Sequence, residues 1–229
     1  MESWFYSSGN EEIYFEKMIS PVNKITTLVL HGAWQSDSTR TLAFRESLLE
    51  EWISTLAIDF SGHGRSTYNT PWSIQKRIQE AQDAIWLLDS SDWITLIGLS
   101  MSGEVCIRLT QIANISHLVL LAPGIYHHKA INIPFGDEFS SLIRQNESWK
   151  ETKIMDILIW FIGLILLITP QNDRTIPEWI NQIIMDSAPN STKKRIVIEW
   201  APHMIWKWMN ENPNRAKIIA KQVKEYLIL

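Results

Sequence analysis

The chain has 229 residues, a formal net charge of −4, and 45% hydrophobic against 20% charged residues. A chain of this length can build a substantial core, and the balance is that of an ordinary globular protein. The acidic excess runs against a nucleic-acid-binding face, which is normally basic, and leaves a small-molecule substrate open. Cys106 is the single cysteine, which excludes an intramolecular disulfide and fits a reducing compartment. The start, MESWFYSSGNEE, has neither the basic nor the apolar region of a secretory signal, so a cytoplasmic protein is expected.

The predicted elements alternate. Glu12 to Ile19 reads as an early strand, with Trp4 to Ser7 as an antiparallel partner. Ile25 to Leu30 is a buried strand that stops at His31-Gly32. Ser38 to Trp52 has helical spacing, carried by Leu42, Arg45, Leu48 and Leu49, and Thr55 to Ile58 is a second buried strand ending in Asp59 and a glycine-bearing loop. The apolar positions Ile74, Ile78, Ala81, Ile85 and Leu88 predict a helix over Trp72 to Leu88. Trp93 to Ile97 is the next strand, followed by the turn GLSMSG and a helix to about Ala113. His117 to Leu121, Leu164 to Ile168 and Ile196 to Ile198 complete the strands. Helices are expected at Pro177 to Asp186 and Arg215 to Leu227. Short apolar runs alternating with helices predict an α/β fold: a mostly parallel central sheet covered on both faces. One domain is expected over 1–229. The stretch from Gly124 to Ile154 breaks the rhythm and reads as a small cap, inserted at about 125–155.

Ile157 to Ile168, ILIWFIGLILLI, is apolar throughout. It falls well short of the roughly 20 residues that a helix needs to span a bilayer. Gly163 divides it into the end of a helix and a buried strand, and no membrane span is expected.

The most informative segment is WITLIGLSMSG, Trp93 to Gly103, which reads strand, tight turn, helix. Such a turn lifts a serine hydroxyl above the carboxyl ends of the strands, and it needs small neighbours because the backbone folds back on itself. Gly98 meets that need. Ser102 stands where the G-x-S-x-G pattern has its second glycine, with Gly103 one step later. Ser100 is the candidate nucleophile, and the N-terminus of the following helix favours a developing oxyanion beside it. A plain strand-to-helix turn is the alternative. LVLHGAW, Leu28 to Trp34, can aim a second backbone donor at the same space, giving Ala33 and Met101 as an oxyanion pair.

LVLHGAW, DFSGHGRS (Asp59 to Ser66) and GLSMSG stand in the order and spacing of the α/β-hydrolase superfamily, which the chain resembles over nearly its whole length. The resemblance implies an α/β-hydrolase fold and the chain order serine, acid, histidine. Of the histidines His31, His63, His117, His127, His128 and His203, only His203 follows the candidate acid region. It lies just past the last strand, with Met204 and Trp206 placed to wall a pocket. Asp173 sits in the loop after the strand ending at Ile168, where similar hydrolases carry their acid. The segment after His117 to Leu121 reads Ala-Pro-Gly and offers no carboxylate. An N-cap or turn role before the next helix is the other reading of Asp173.

The catalytic set is therefore Ser100, Asp173 and His203, with Trp34, His127 and Trp149 as expected substrate contacts. Trp160 could cover the site or brace the cap. His63 reads as part of a structural turn, and Cys106 as packed inside. No zinc-type spacing, P-loop or dinucleotide fingerprint is present, so neither metal nor cofactor is expected. The resemblance implies a serine hydrolase, carboxylesterase-like, acting on a small-molecule acyl substrate through an acyl-enzyme. A thioesterase, an acyltransferase, a carbon–carbon bond hydrolase, or a ligand-binding member without chemistry would share the same layout. The oligomeric state is not readable.

Overall fold

The computed structural model describes residues 1–21, 24–34, 36–89 and 93–227. Strands β1 (Glu2–Ser8) and β2 (Glu11–Met18) form an antiparallel hairpin. It turns at Gly9, whose φ of 56° is a conformation that glycine adopts without strain. Next come β3 (Thr27–Leu30), α1 (Leu42–Glu50), β4 (Thr55–Ile58) and α2 (Ile74–Ile85). They are followed by β5 (Ile94–Leu99), α3 (Ser102–Leu109) and β6 (Ile115–Leu121). Beyond α4 (Asp137–Ile143) lie α5 (Ile154–Leu158), β7 (Leu164–Asn172), α6 (Glu178–Asp186), β8 (Thr192–Pro202), α7 (Ile205–Asn210) and α8 (Pro213–Leu227).

The strands form one eight-stranded sheet in the order β1-β2-β4-β3-β5-β6-β7-β8. β2 is antiparallel to both neighbours, and the pairs from β4 to β8 are parallel. Alternate side chains leave a strand on opposite faces. Leu28, Leu56, Leu96, Leu118 and Ile165 enter one core with Ile78 and Ala81 of α2 and Val105 of α3. Val29, Ala57, Ile97, Val119 and Leu166 enter the other with Phe44 of α1 and Ile219 and Val223 of α8. Because both faces are covered, the inner strands read as unbroken apolar runs. Between β2 and α1, the buried Arg45 guanidinium meets Glu16 at 2.9 Å.

Several boundaries differ from the sequence reading. The helix expected from Ser38 splits into a 3-10 turn, Ser38–Thr41, and α1, because Asp37 caps the turn by accepting the Thr39 N–H. α2 starts at Ile74 because the Ser73 hydroxyl accepts the Lys76 N–H at 3.0 Å. Pro177 caps α6 rather than lying within it. β8 is much longer than Ile196 to Ile198, since Lys193, Lys194 and Arg195 also pair with β7 on a strand that forms the sheet edge. α7 was not anticipated. The expected cap carries a 3-10 turn at His128–Asn132, then α4, then a second 3-10 turn at Ser148–Glu151. The apolar run from Ile157 divides as expected into the end of α5 and the start of β7. Gly163 has no room for a side chain, as a Cβ would come within 2.3 Å of the Ser116 carbonyl. Among the described residues no helix is long and apolar enough to cross a membrane.

Candidate active site

β5 ends at Leu99 and α3 begins at Ser102, so Ser100 occupies a two-residue corner. Its φ of 50° lies in the left-handed region, which a side chain disfavours, and the neighbouring backbone holds it there. The Ser100 N–H donates to Leu121 O at the end of β6, and its carbonyl accepts from the Gly103 and Gly124 N–H groups, each bond 2.9 Å long. The corner is crowded. A Cβ on Gly98 would lie 2.5 Å from the Ser102 carbonyl, and one on Gly103 would lie 2.5 Å from Pro123. Ser102 fits without hindrance, and its hydroxyl donates to the His31 carbonyl at the end of β3. The departure from glycine therefore ties the elbow to the neighbouring loop.

β7 and β8 deliver the other two side chains to the same rim. Asp173 follows β7, and His203 follows β8. The His203 imidazole stands between them: Nε2 lies 3.2 Å from Ser100 Oγ, and Nδ1 lies 2.9 Å from Asp173 Oδ2. The other carboxylate oxygen, Oδ1, accepts the Thr175 and Ile176 N–H groups at 2.8 and 2.9 Å. Burial works to raise the Asp173 pKa, but the bonds from His203, Ile176 and Thr175 outweigh it and hold the carboxyl below its usual range. An ionised Asp173 fixes the proton on Nδ1 and leaves the Nε2 lone pair toward Ser100. Asp173 does not cap α6, whose N-cap is Pro177, but its side chain closes the turn before that helix, so the turn reading also describes part of its geometry.

The loop after β3 lies against this corner, where a Cβ on Gly32 would sit 3.4 Å from Ser100 Cβ. Among the described residues, neither the Ala33 N–H nor the Met101 N–H donates to another group of the chain. The loop Asp59 to Ser66 is structural, as expected. The Asp59 carboxylate accepts the Ser38 and Arg65 N–H groups at 2.7 and 2.9 Å, and Gly62 and Gly64 take φ values of 70° and 52°. Cys106 is fully buried.

A cavity of about 1030 Å³ opens above the serine. Ser100, His203, Ala33 and Met101 line it, together with Trp34, Trp206, Tyr126, Ile180 and residues Ile143 to Trp149. Trp34 and Trp149 both line the cavity. His127 does not line it. Its ring stacks on His128 at 4.7 Å between centroids, out in the cap. Trp160 is 80% exposed just before β7, at the opposite end of that strand from Asp173. Arg40, Tyr126 and the Ile143 to Ser148 segment were not singled out from sequence, because they reach the cavity through tertiary folding rather than through any local spacing. A more open groove of about 640 Å³, lined by Arg174, Lys207 and Glu211, flanks His203 without reaching Ser100. Among the described residues, one group could converge on a metal ion: His127, His128 and Glu151, whose ligand atoms lie within 4.8 Å of one another, outside the cavity.

The model of the alpha/beta hydrolase family matches residues 27–161. No curated protein matches the chain in sequence. Among solved structures, an esterase (EaEST) from Exiguobacterium antarcticum superposes with a TM-score of 0.74 at 16% identity, covering 98% of this chain and 99% of its own. A bromoperoxidase from Bacillus anthracis gives 0.73 at 16% identity, covering 96% and 100%. Est1E from Butyrivibrio proteoclasticus, solved with ferulic acid bound, gives 0.71 at 15% identity, covering 98% of each chain.

Proposed function

Because the chain belongs to the alpha/beta hydrolase family, we propose that it is a serine hydrolase that cleaves a carboxylic ester of a small or medium-sized acyl group. The observation that carries this reading is the continuous line Ser100 Oγ, His203, Asp173, with contacts of 3.2 and 2.9 Å, whose serine and histidine line an open cavity. A serine hydroxyl is a weak nucleophile at neutral pH and needs an adjacent base. His203 Nε2 takes the Ser100 proton as Oγ attacks the ester carbonyl, and later returns it to the leaving alcohol. Asp173 holds the imidazole in the tautomer with Nδ1 protonated and stabilises its positive charge. The Ala33 and Met101 N–H groups donate to the oxyanion of the tetrahedral intermediate, and each such donor contributes about 3–4 kcal/mol in comparable sites. Water, activated by the same imidazole, then releases the acyl-enzyme.

The apolar part of the cavity lining, Trp34, Tyr126, Ile143, Trp149 and Ile180, suits an apolar or aromatic acyl group of modest size, while Arg40, Arg144 and Glu147 add charge to the same lining. The reading is tested by treating the protein with a fluorophosphonate and locating the adduct. Ser100 should carry it, and Ser100→Ala should neither label nor hydrolyse aryl esters. A folded wild-type protein that resists the probe and turns over neither esters nor thioesters overturns the reading. A ladder of esters of graded acyl length beside matching thioesters identifies the acyl group and the bond.

A further inference from the structure

We propose that Arg77 is a positioning residue for the oxyanion site: its guanidinium holds and polarises the Gly32–Ala33 peptide, so that the Ala33 N–H is presented to the cavity. The inference rests on the reading of Ser100 as nucleophile.

Arg77 lies on α2, far from Ser100 in sequence, and is only 2% exposed. Its Nη1 donates to the Gly32 carbonyl at 2.9 Å. The same oxygen lies 2.8 Å from His31 Nδ1. The His31 tautomer follows from its other nitrogen: Nε2 accepts the Phe60 N–H at 3.1 Å, so the proton is on Nδ1 and points at Gly32. The Gly32 oxygen thus receives two donors, which suits its two lone pairs.

The peptide after Gly32 is trans, as cis bonds are absent among the described residues. In a trans peptide the C=O and the following N–H point in opposite directions. Fixing the Gly32 oxygen against Arg77 and His31 therefore fixes the Ala33 N–H on the other side, where Ala33 and Ser100 line the cavity together. A cation at the carbonyl end also draws electron density from the N–H end. That strengthens the donor most when the acceptor carries charge, which is the transition state rather than the ester.

A buried cation is costly to desolvate and ordinarily sits directly against a carboxylate. Here both hydrogen-bond partners are uncharged, the second being His63 Nε2 at 3.1 Å, and the buried Glu80 carboxyl, one turn along α2, supports the charge from nearby without a hydrogen bond to it. His63 donates from Nδ1 to Ser61 O, and burial followed by the nearby Arg77 charge keeps its ring neutral. Arg77 Nε is buried without a hydrogen-bond partner among the described residues. The guanidinium is instead sandwiched near Phe60 and Phe135, 4.6 and 5.4 Å from the ring centroids. Burial lowers its pKa to about 10, which still leaves it charged at neutrality.

The test compares Arg77→Met, which keeps the volume and removes the charge, with Arg77→Lys, which keeps the charge but cannot bridge Gly32 and His63. Aryl-ester kinetics, affinity for an alkyl boronic acid (which forms a tetrahedral adduct on serine) and melting temperature are measured per folded molecule. Arg77→Met should lower kcat about 10- to 100-fold with KM nearly unchanged and weaken the boronic acid in parallel. Arg77→Lys should fall between; if the methionine variant does not fold, a lowered kcat at constant KM in the lysine variant carries the proposal. Wild-type kcat in either folded variant, or a loss seen in KM alone, overturns it. Fluorophosphonate labelling separates the two readings. A wild type that resists the probe overturns both, whereas a labelled wild type with an unaffected Arg77→Met overturns only the role of Arg77.

Discussion

Replacing Ser102 with glycine, the residue that the elbow pattern leads one to expect, should weaken this protein rather than improve it. The Ser102 hydroxyl donates to the His31 carbonyl, and the two residues are 0% and 1% exposed. Removing the donor leaves a buried carbonyl unsatisfied, which costs about 1–3 kcal/mol. Glycine in a helix costs up to about 1 kcal/mol more than alanine through backbone entropy. Ser102→Ala should therefore lose about 1–3 kcal/mol and Ser102→Gly about 1 kcal/mol more. For a chain of this size each kcal/mol lowers the melting temperature by about 2–4 °C, so the alanine variant should melt about 2–12 °C lower and the glycine variant lower still. Calorimetry of the three proteins in one buffer measures this. Because the His31 carbonyl anchors the loop that ends at Ala33, kcat on an aryl ester should also fall severalfold in both variants. A glycine variant that melts at or above the wild type would refute the reasoning and return Ser102 to the status of an idle substitution.

Three further outcomes follow from the charged groups. Asp173→Asn keeps the shape but loses the charge that fixes the His203 tautomer; kcat/KM should drop by about 10⁴ with little change in melting temperature, and a loss below tenfold in steady-state kinetics would contradict the assignment of the acid. Burial raises the Glu11 pKa, but bonds from Lys76, Thr67, Asn69 and Thr70 outweigh it and bring it from 4.5 to about 2. The folded value lies below the unfolded one, so this stabilisation is complete above about pH 4.5 and is lost as pH falls toward about 2. Glu11→Gln should flatten melting temperature against pH across that window, and an unchanged slope would count against it. Glu16→Ala strands the buried Arg45 charge, which is held at 2.9 Å, and should cost about 3–5 kcal/mol in denaturant unfolding, whereas Glu16→Leu with Arg45→Met should recover most of it; a single-variant loss under about 1 kcal/mol would show that the pair is solvated.

The sequence made legible those parts whose constraints are local. β3 to β6 are buried on both faces, so each had to be an apolar run, and each was found. The elbow was readable because its corner forces small residues next to Ser100. The acid and the base were placed by the chain order that the family resemblance implies, since their own neighbours carry no distinctive pattern. Long-range partners stayed hidden. Ser102 was visible as a departure, but its compensating acceptor, His31, lies on another strand. Arg77 reads as a polar position on an amphipathic helix, and only the loop folded over it makes it a buried cation. The outer part of β8 was missed because an edge strand can be polar and still pair. His127 was placed at the cavity because it opens the cap, yet the chain turns there and carries its ring away toward His128 and Glu151.

Backbone strain points to the same corner as the side chains do. Of the six non-glycine residues with positive φ among the described residues, three, Trp34, Ser100 and Ala122, have φ values of 63°, 50° and 46°. They stand just past β3, β5 and β6, three strands that are hydrogen-bonded neighbours in the sheet. Each such conformation costs about 1–3 kcal/mol and persists only where its surroundings over-determine it. For Ser100 those surroundings are three backbone bonds, and the Ala122 N–H is likewise held by Ile168 O at 2.9 Å. A strand-to-helix turn with no task could relax this strain by placing glycine at any of the three positions. Under the proposed mechanism, their meeting at adjoining strand ends is the backbone counterpart of a preorganised site, with donors and nucleophile fixed before a substrate arrives.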